Sequence, residues 1–125
     1  MTARYFGETE DLLPKYAWYV KNSPEYAWPV GSLKPNDLGL FDMHGNVWEW
    51  CQNSYKAYPQ GDDASDDTDE AVAVAGTPHR MMRGGSFLNQ APDVRSGVRF
   101  TLAPEAQYGV FCGFRVARTL PPVPK

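Results

Sequence analysis

Asp42 and Glu49 are two hard carboxylates seven residues apart, with Gly45 and Asn46 between them. Gly and Asn favour turns, so this segment can fold back on itself. The resulting loop could present two carboxylates and two inward carbonyls to one hard cation such as Ca²⁺, which takes six to eight oxygen ligands. The alternative needs no metal: Asp42 caps the turn and Glu49 pairs with a buried arginine. Two isolated histidines, His44 and His79, show no His/carboxylate spacing suited to zinc or non-haem iron. His44, in the turn, is expected to hydrogen-bond its own loop, and His79 to lie at the surface. Ser86 follows Gly84-Gly85, but there is no Gly-x-Ser-x-Gly elbow and no identifiable histidine base, which argues against a serine hydrolase. Cys51 and Cys112 are too few for a disulfide scaffold and are expected to be free and partly buried. A Cys51–Cys112 disulfide is the alternative, if their flanks meet in a sheet.

Arg83, Arg95, Arg99 and Arg115 flank the glycine-rich stretches. A planar guanidinium satisfies several carbonyls or a carboxylate at once, so in a loop-rich chain these arginines are expected to be structural. The functional alternative is recognition of an anionic group by Arg95 or Arg99. Between Gly61 and Glu70 lie six acids: Asp62, Asp63, Asp66, Asp67, Asp69 and Glu70. The stretch from about 59 to 79 reads as a solvated surface loop. A weak divalent-cation site is its alternative, although the complete EF-hand spacing is absent.

The elements that must position these groups are short. Asn46 to Cys51 alternates large apolar and polar residues, the period-two signal of a half-buried strand. Trp48 and Trp50 share one face of it and are expected in the core, with a sugar or peptide platform as the alternative; Glu49 points to the other face. Tyr16–Val20, Arg80–Arg83 before Gly84-Gly85, Gly97–Leu102 and Gly113–Arg118 also read as strands. Helical signal is confined to Thr9–Lys15, limited by Pro14. The proline-rich end, 119–125, reads as a flexible tail.

The chain has 125 residues, 42% hydrophobic and 22% charged, which suits one globular domain over 1–125. A net charge of −3 supplies no basic excess for binding nucleic acid. No run of eighteen apolar residues exists and the N-terminus has no apolar signal core, so a cytoplasmic, non-membrane protein is expected.

Four blocks stand in order: Pro35 to Asp42 (PNDLGLFD), Met43 to Trp50 (MHGNVWEW), Arg83 to Phe87 (RGGSF) and Gly113 to Arg115 (GFR). Together they resemble the formylglycine-generating enzyme family, or sulfatase-modifying factors, a bacterial-type domain also found attached to kinases and in variable proteins. The resemblance runs from about Arg4 to Arg118. It implies an α+β, irregular, loop-rich fold: the family's variant of the C-type-lectin fold, with a small twisted antiparallel sheet, in truncated form. Members are longer, and the chain matches their C-terminal half. The resemblance therefore also implies a surface that a partner or a homo-oligomer would cover.

By position, the family's Ca²⁺ ligands would be the Asp42 side chain, the Gly45 and Val47 carbonyls and the Glu49 carboxylate. The family's activating members hold copper between two cysteines, which oxidises a sulfatase cysteine to formylglycine. Those two positions here are Asn89 and Val94. An amide and an isopropyl group cannot replace soft sulfur ligands, so copper is not expected and no catalytic residue is assigned. The implied function is a non-catalytic binding module for an unidentified protein or small molecule. Its recognition loops would lie between Phe87 and Gln107, with Asn89, Asp93, Arg95 and Arg99 as candidate contacts. Trp48, Trp50, Arg83, Gly84, Gly85 and Arg115 would be the frame. The alternatives are a formylglycine-generating oxidoreductase, or a half-domain that works only after assembly.

Overall fold

The computed structural model of the protein describes residues 2–23, 25–54, 79–106 and 109–117, with only the backbone of Asn53 and Ser54. The acidic stretch to residue 78, and the tail, lie outside the described residues. Four short strands form one sheet: β1 (Trp48–Ser54), β2 (Arg80–Arg83), β3 (Arg99–Leu102) and β4 (Cys112–Gly113), in the order β3-β2-β1-β4. Among the described residues there is no α-helix, only 3-10 turns at Leu13–Lys15 and Ala91–Asp93. The loop-rich expectation therefore holds, and no helix of these residues is long and apolar enough to cross a membrane.

The sheet is mixed, which corrects the antiparallel expectation. β2 runs antiparallel to β1 and β3, but β4 runs parallel to β1. β2 ends where Gly84 and Gly85 adopt φ of +96° and +77°, a backbone that a strand cannot continue and that glycine adopts at little cost. β4 pairs over two residues only, against the six expected from the alternation. Beyond Gly113, Phe114 and Val116 are 78% and 90% exposed, so burial contributes little to extending that strand.

Tyr16–Val20 is not a strand either. The Asn22 side chain captures its backbone, accepting from the Tyr19 N–H at 2.8 Å and donating to the Ala17 carbonyl at 3.0 Å. The Asn22 and Ser23 amides then close turns on the Tyr19 carbonyl. One bridge remains, between Trp18 and Gly45. This curled segment supplies Leu13, Ala17 and Tyr19 to a core completed by Ala91 and Val94, with Phe6 and Val20 packed against it. The sheet buries its own apolar residues, Trp48, Met81 and Met82. Trp50, expected beside Trp48 in the core, is only half-buried.

Candidate functional site

The loop from Asp42 to Glu49 joins the two halves of the fold. Asp42 and Asn46 have φ of +53° and +62°, and Gly45 has +73°. Asp and Asn tolerate this left-handed region better than other side chains do, which is why such residues can form the bend. The Gly45 amide donates to the Gly84 carbonyl, the Asn46 amide to the Trp18 carbonyl and the Phe87 amide to the Asn46 carbonyl, each at 2.8 Å. The Asn46 side chain clasps Trp28, accepting from its N–H at 2.9 Å and donating to its carbonyl at 3.1 Å. Trp28 in turn stacks on Trp18, ring centroids 4.6 Å apart.

Asp42 is 8% exposed. Its Oδ2 accepts the Gly31 amide at 2.8 Å, while Oδ1 is buried without a hydrogen-bond partner. That oxygen suits a hard cation. Glu49, as placed, does not: Arg115 Nε donates to Oε2 and Nη2 to Oε1. The same Nη2 donates to the Phe41 carbonyl at 3.1 Å and the Asp42 carbonyl at 3.3 Å. The Glu49 hydrogen bond raises the Arg115 pKa further, against the opposing effect of burial. The four groups Asp42, Gly45, Val47 and Glu49 thus do not fit a calcium ion as arranged, because a guanidinium already holds the Glu49 carboxylate.

His44 is 3% exposed and does not behave as a loop hydrogen-bonder. It stacks on Tyr5 at 5.2 Å and meets the edge of Phe6 at 6.1 Å, and neither ring nitrogen makes a well-formed hydrogen bond. Burial pushes its pKa below the usual value; the Met43 backbone opposes this and the Arg4 charge reinforces it. Tyr5 beside it is pushed up to about 12, mainly by burial. The sign for His44 follows from linkage. Below pH about 6.5 the unfolded chain takes up a proton that the folded chain refuses, so stability falls as pH drops through that value. It levels off once the folded-state pKa is passed. Urea unfolding at pH 7 and pH 5.5 should show this fall, with a slope of at most about 1.4 kcal/mol per pH unit. His44→Gln should flatten it.

The other sequence-selected residues divide between frame and surface. Asn89 is not an exposed contact: it is half-buried, and its Oδ1 accepts from the Ser86 amide at 2.8 Å and the Ser86 hydroxyl at 2.9 Å. Its carbonyl receives the Val20 amide. Val94 is fully buried in the core. Ser86 is buried as well, out of reach as a nucleophile. Asp93 and Arg95 are exposed, with Arg95 Nε on the Pro92 carbonyl at 2.9 Å. Arg99 lies opposite Arg83 across β2–β3, and Arg83 lies opposite Glu49 across β1–β2. Arg83 Nη1 reaches the Ser96 carbonyl at 3.3 Å. His79 is exposed, as expected.

Trp48 pairs with Cys112, so Cys51 sits three residues further along β1. That is about 10 Å at 3.3 Å per residue, too far for a disulfide. Neither cysteine forms a disulfide, and burial pushes the Cys112 thiol up.

Sequence reasoning missed two residues that hold the site together. Asn46 carries a clasp that its own turn position does not announce. Arg4 is 3% exposed and donates to the carbonyls of Val94, Ala91 and Glu8 at 2.9, 2.6 and 3.1 Å. An arginine amid Tyr5 and Phe6 is the only local sign of it.

Comparison with known proteins places this geometry. The sulfatase-modifying factor enzyme 1-like domain matches residues 4–120. The chain is 34% identical over 91 residues to the serine/threonine-protein kinase pkn1 of Chlamydia pneumoniae, covering 73% of this chain and 14% of the kinase. It is 33% identical over 92 residues to the formylglycine-generating enzyme of Streptomyces coelicolor, covering 71% of this chain and 28% of the enzyme. Among solved structures, Treponema denticola variable protein 1 superposes with a TM-score of 0.69 at 32% identity, over 85% of this chain and 37% of that one. The chain thus spans well under half the length of these relatives. With its GLFDMHGNVWEW, RGGSF and GFR blocks assembled around one loop, the chain belongs to the sulfatase-modifying factor enzyme 1-like domain family.

Proposed function

We propose that this chain is a non-catalytic binding module of its family. The observation that carries the reading is the state of Asn89 and Val94, where activating relatives would need two thiolates. Asn89 braces the Ser86 turn and Val94 fills the core, so both positions serve the frame. Neither side chain is a ligand for Cu(I), which requires soft sulfur donors. Around them the chain exposes Leu88, Gln90, Pro92, Asp93 and Arg95. These alternate with inward-facing Asn89, Ala91 and Val94, so the rim is mounted on a fixed base. Loops fixed on a rigid frame are where recognition commonly resides. The anion-binding alternative for Arg95 fits this rim, because only its Nε is turned inward to the Pro92 carbonyl.

The test is direct. A sulfatase-motif peptide incubated with the chain, copper and oxygen should show no conversion of cysteine to formylglycine by mass spectrometry beyond a protein-free control. Turnover would overturn the reading and revive the oxidoreductase. In parallel, Leu88→Asp and Asp93→Lys should leave stability within about 0.5 kcal/mol, as expected of an exposed rim.

A further inference from the structure

Three arginines meet at the turn that leads into β3. The Val98 amide donates to the Arg95 carbonyl at 3.2 Å and closes the turn, and the Ser96 amide donates to the Ala3 carbonyl at 3.0 Å and pins it to the start of the chain. Arg83 Nη1 donates to the Ser96 carbonyl at 3.3 Å. Arg95 folds back with Nε on the Pro92 carbonyl, and its Nη1 lies 3.3 Å from where a Cβ at Gly97 would stand. Gly97 thus leaves room for that guanidinium. Arg99 opens β3 two residues later, directly opposite Arg83. Opposed residues of an antiparallel pair share a face with Cβ atoms about 4.5–5.5 Å apart, and like charges so placed repel.

The charges across the sheet do not cancel. The register runs Arg99, Arg83, Glu49 over β3, β2 and β1, and Arg115 follows on the β4 side, holding both Glu49 oxygens. Asp93 stands exposed two residues before Arg95, whose Nε goes to a carbonyl instead. Among the described residues of this row and turn, Arg83, Arg95, Arg99 and Arg115 stand against Glu49 and Asp93. That is an excess of two positive charges on a chain whose net charge is −3. We infer that the Arg83, Arg95 and Arg99 guanidiniums form a site for a dianionic oxyanion, a phosphate or sulfate group. A planar fork offers two parallel N–H donors to such a group, so three forks at one turn can engage its oxygens from several sides. The inference deepens the binding-module reading and rests on it. The two fail separately, because turnover of a sulfatase-motif peptide is silent on anion binding.

The experiment melts the full chain at pH about 8, where a phosphate group carries two charges. Inorganic phosphate, sulfate and acetate, each at about 10 mM, are compared with chloride at equal ionic strength. A dissociation constant of about 1 mM raises Tm by about 5 °C in phosphate. Sulfate should act as phosphate does, whereas singly charged acetate should shift Tm by less than about 1 °C. In calorimetric titration with phosphate, Arg95→Gln and Arg99→Gln should each bind at least about tenfold more weakly than wild type. Lys34→Gln, which removes an exposed charge beside Lys15, should bind as wild type does. Arg95 is exposed, so Arg95→Gln carries the comparison if Arg99→Gln does not fold. A phosphoserine peptide, beside its unphosphorylated twin, separates the two sources: binding of phosphate alone assigns the site to the free ion, and binding of both assigns it to an ester on a partner. A phosphate shift no larger than that in chloride overturns the inference. So does one matched in acetate, or one that survives Arg95→Gln, which is the general stabilisation that excluded salts give.

Discussion

Gly45→Ala should lower Tm by about 15 °C or leave the chain unfolded. Gly45 has φ of +73°, a region in which an alanine costs about 1 kcal/mol by itself. Space makes the cost much larger. A Cβ at Gly45 would lie 2.2 Å from the Trp18 carbonyl oxygen, 3.0 Å from its carbon and 3.1 Å from its nitrogen. All three are backbone atoms, so no rotamer change relieves the overlap. The Trp18 segment would have to withdraw from the loop. That would break the Asn46-to-Trp18 hydrogen bond and strain the Gly45-to-Gly84 bond beside it. Each buried group left unpaired costs about 1–3 kcal/mol, so the sum reaches about 4 kcal/mol or more. At this chain length 1 kcal/mol is worth about 4 °C. Gly39→Ala is the matched control: φ is +77°, but nothing lies within 4 Å of its Cβ position. It should cost about 1 kcal/mol, the backbone term alone. Equal losses in the two variants, by thermal melting under one buffer, would show that the close approach to Trp18 is not what Gly45 is for.

The contrast between these glycines shows what could be read before folding and what could not. Gly84-Gly85 marked the end of β2 correctly, because a pair of glycines interrupts a strand whatever its tertiary setting. The alternation in Trp48-Glu49-Trp50 placed β1, because its period is a property of the strand itself. Tyr16–Val20 was misread for a local reason: a side chain six residues beyond Tyr16, Asn22, outcompeted the ladder for its backbone. The parallel pairing of β4 could not be read, since direction depends on the path of the chain between Leu102 and Cys112. Within the site, Asp42 and Glu49 were found by type and spacing, and a Glu49–arginine pair stood among the readings. Which arginine it would be could not be read, because Arg115 lies 66 residues from Glu49. Asn89 reads as a contact residue because it lies in the loops between Phe87 and Gln107, yet its spacing of three from Ser86 is the spacing of a side chain that closes a turn.

Arg4 offers the second large effect, and nothing near it in sequence reveals why. Its partners Val94 and Ala91 lie 90 and 87 residues away. Together with the Ser96-to-Ala3 hydrogen bond, they fasten the first turn of the chain over the Ala91–Asp93 segment and the core beneath it. Arg4→Met keeps most of the apolar stem and removes all three donors, leaving the Val94 and Ala91 carbonyls without this partner in a region closed to water. The expected loss is about 3 kcal/mol, read from the urea midpoint. Arg4→Lys should recover at most about half of it, because an ammonium cannot reach three carbonyls from the plane of a fork. A loss below about 1 kcal/mol for Arg4→Met would show that the carbonyls find other partners. A second readout separates Arg4 from a merely packed side chain. Its charge helps hold the His44 pKa down. Removing that charge lets the folded-state value rise toward its ordinary value. The gap between folded and unfolded states then narrows, and the loss of stability below pH about 6.5 becomes shallower in Arg4→Met than in wild type. Arg4→Lys, which keeps the charge, should retain most of the wild-type slope. A variant that lost stability with no change in that slope would leave Arg4 as a clamp on the carbonyls, with no electrostatic hold on His44.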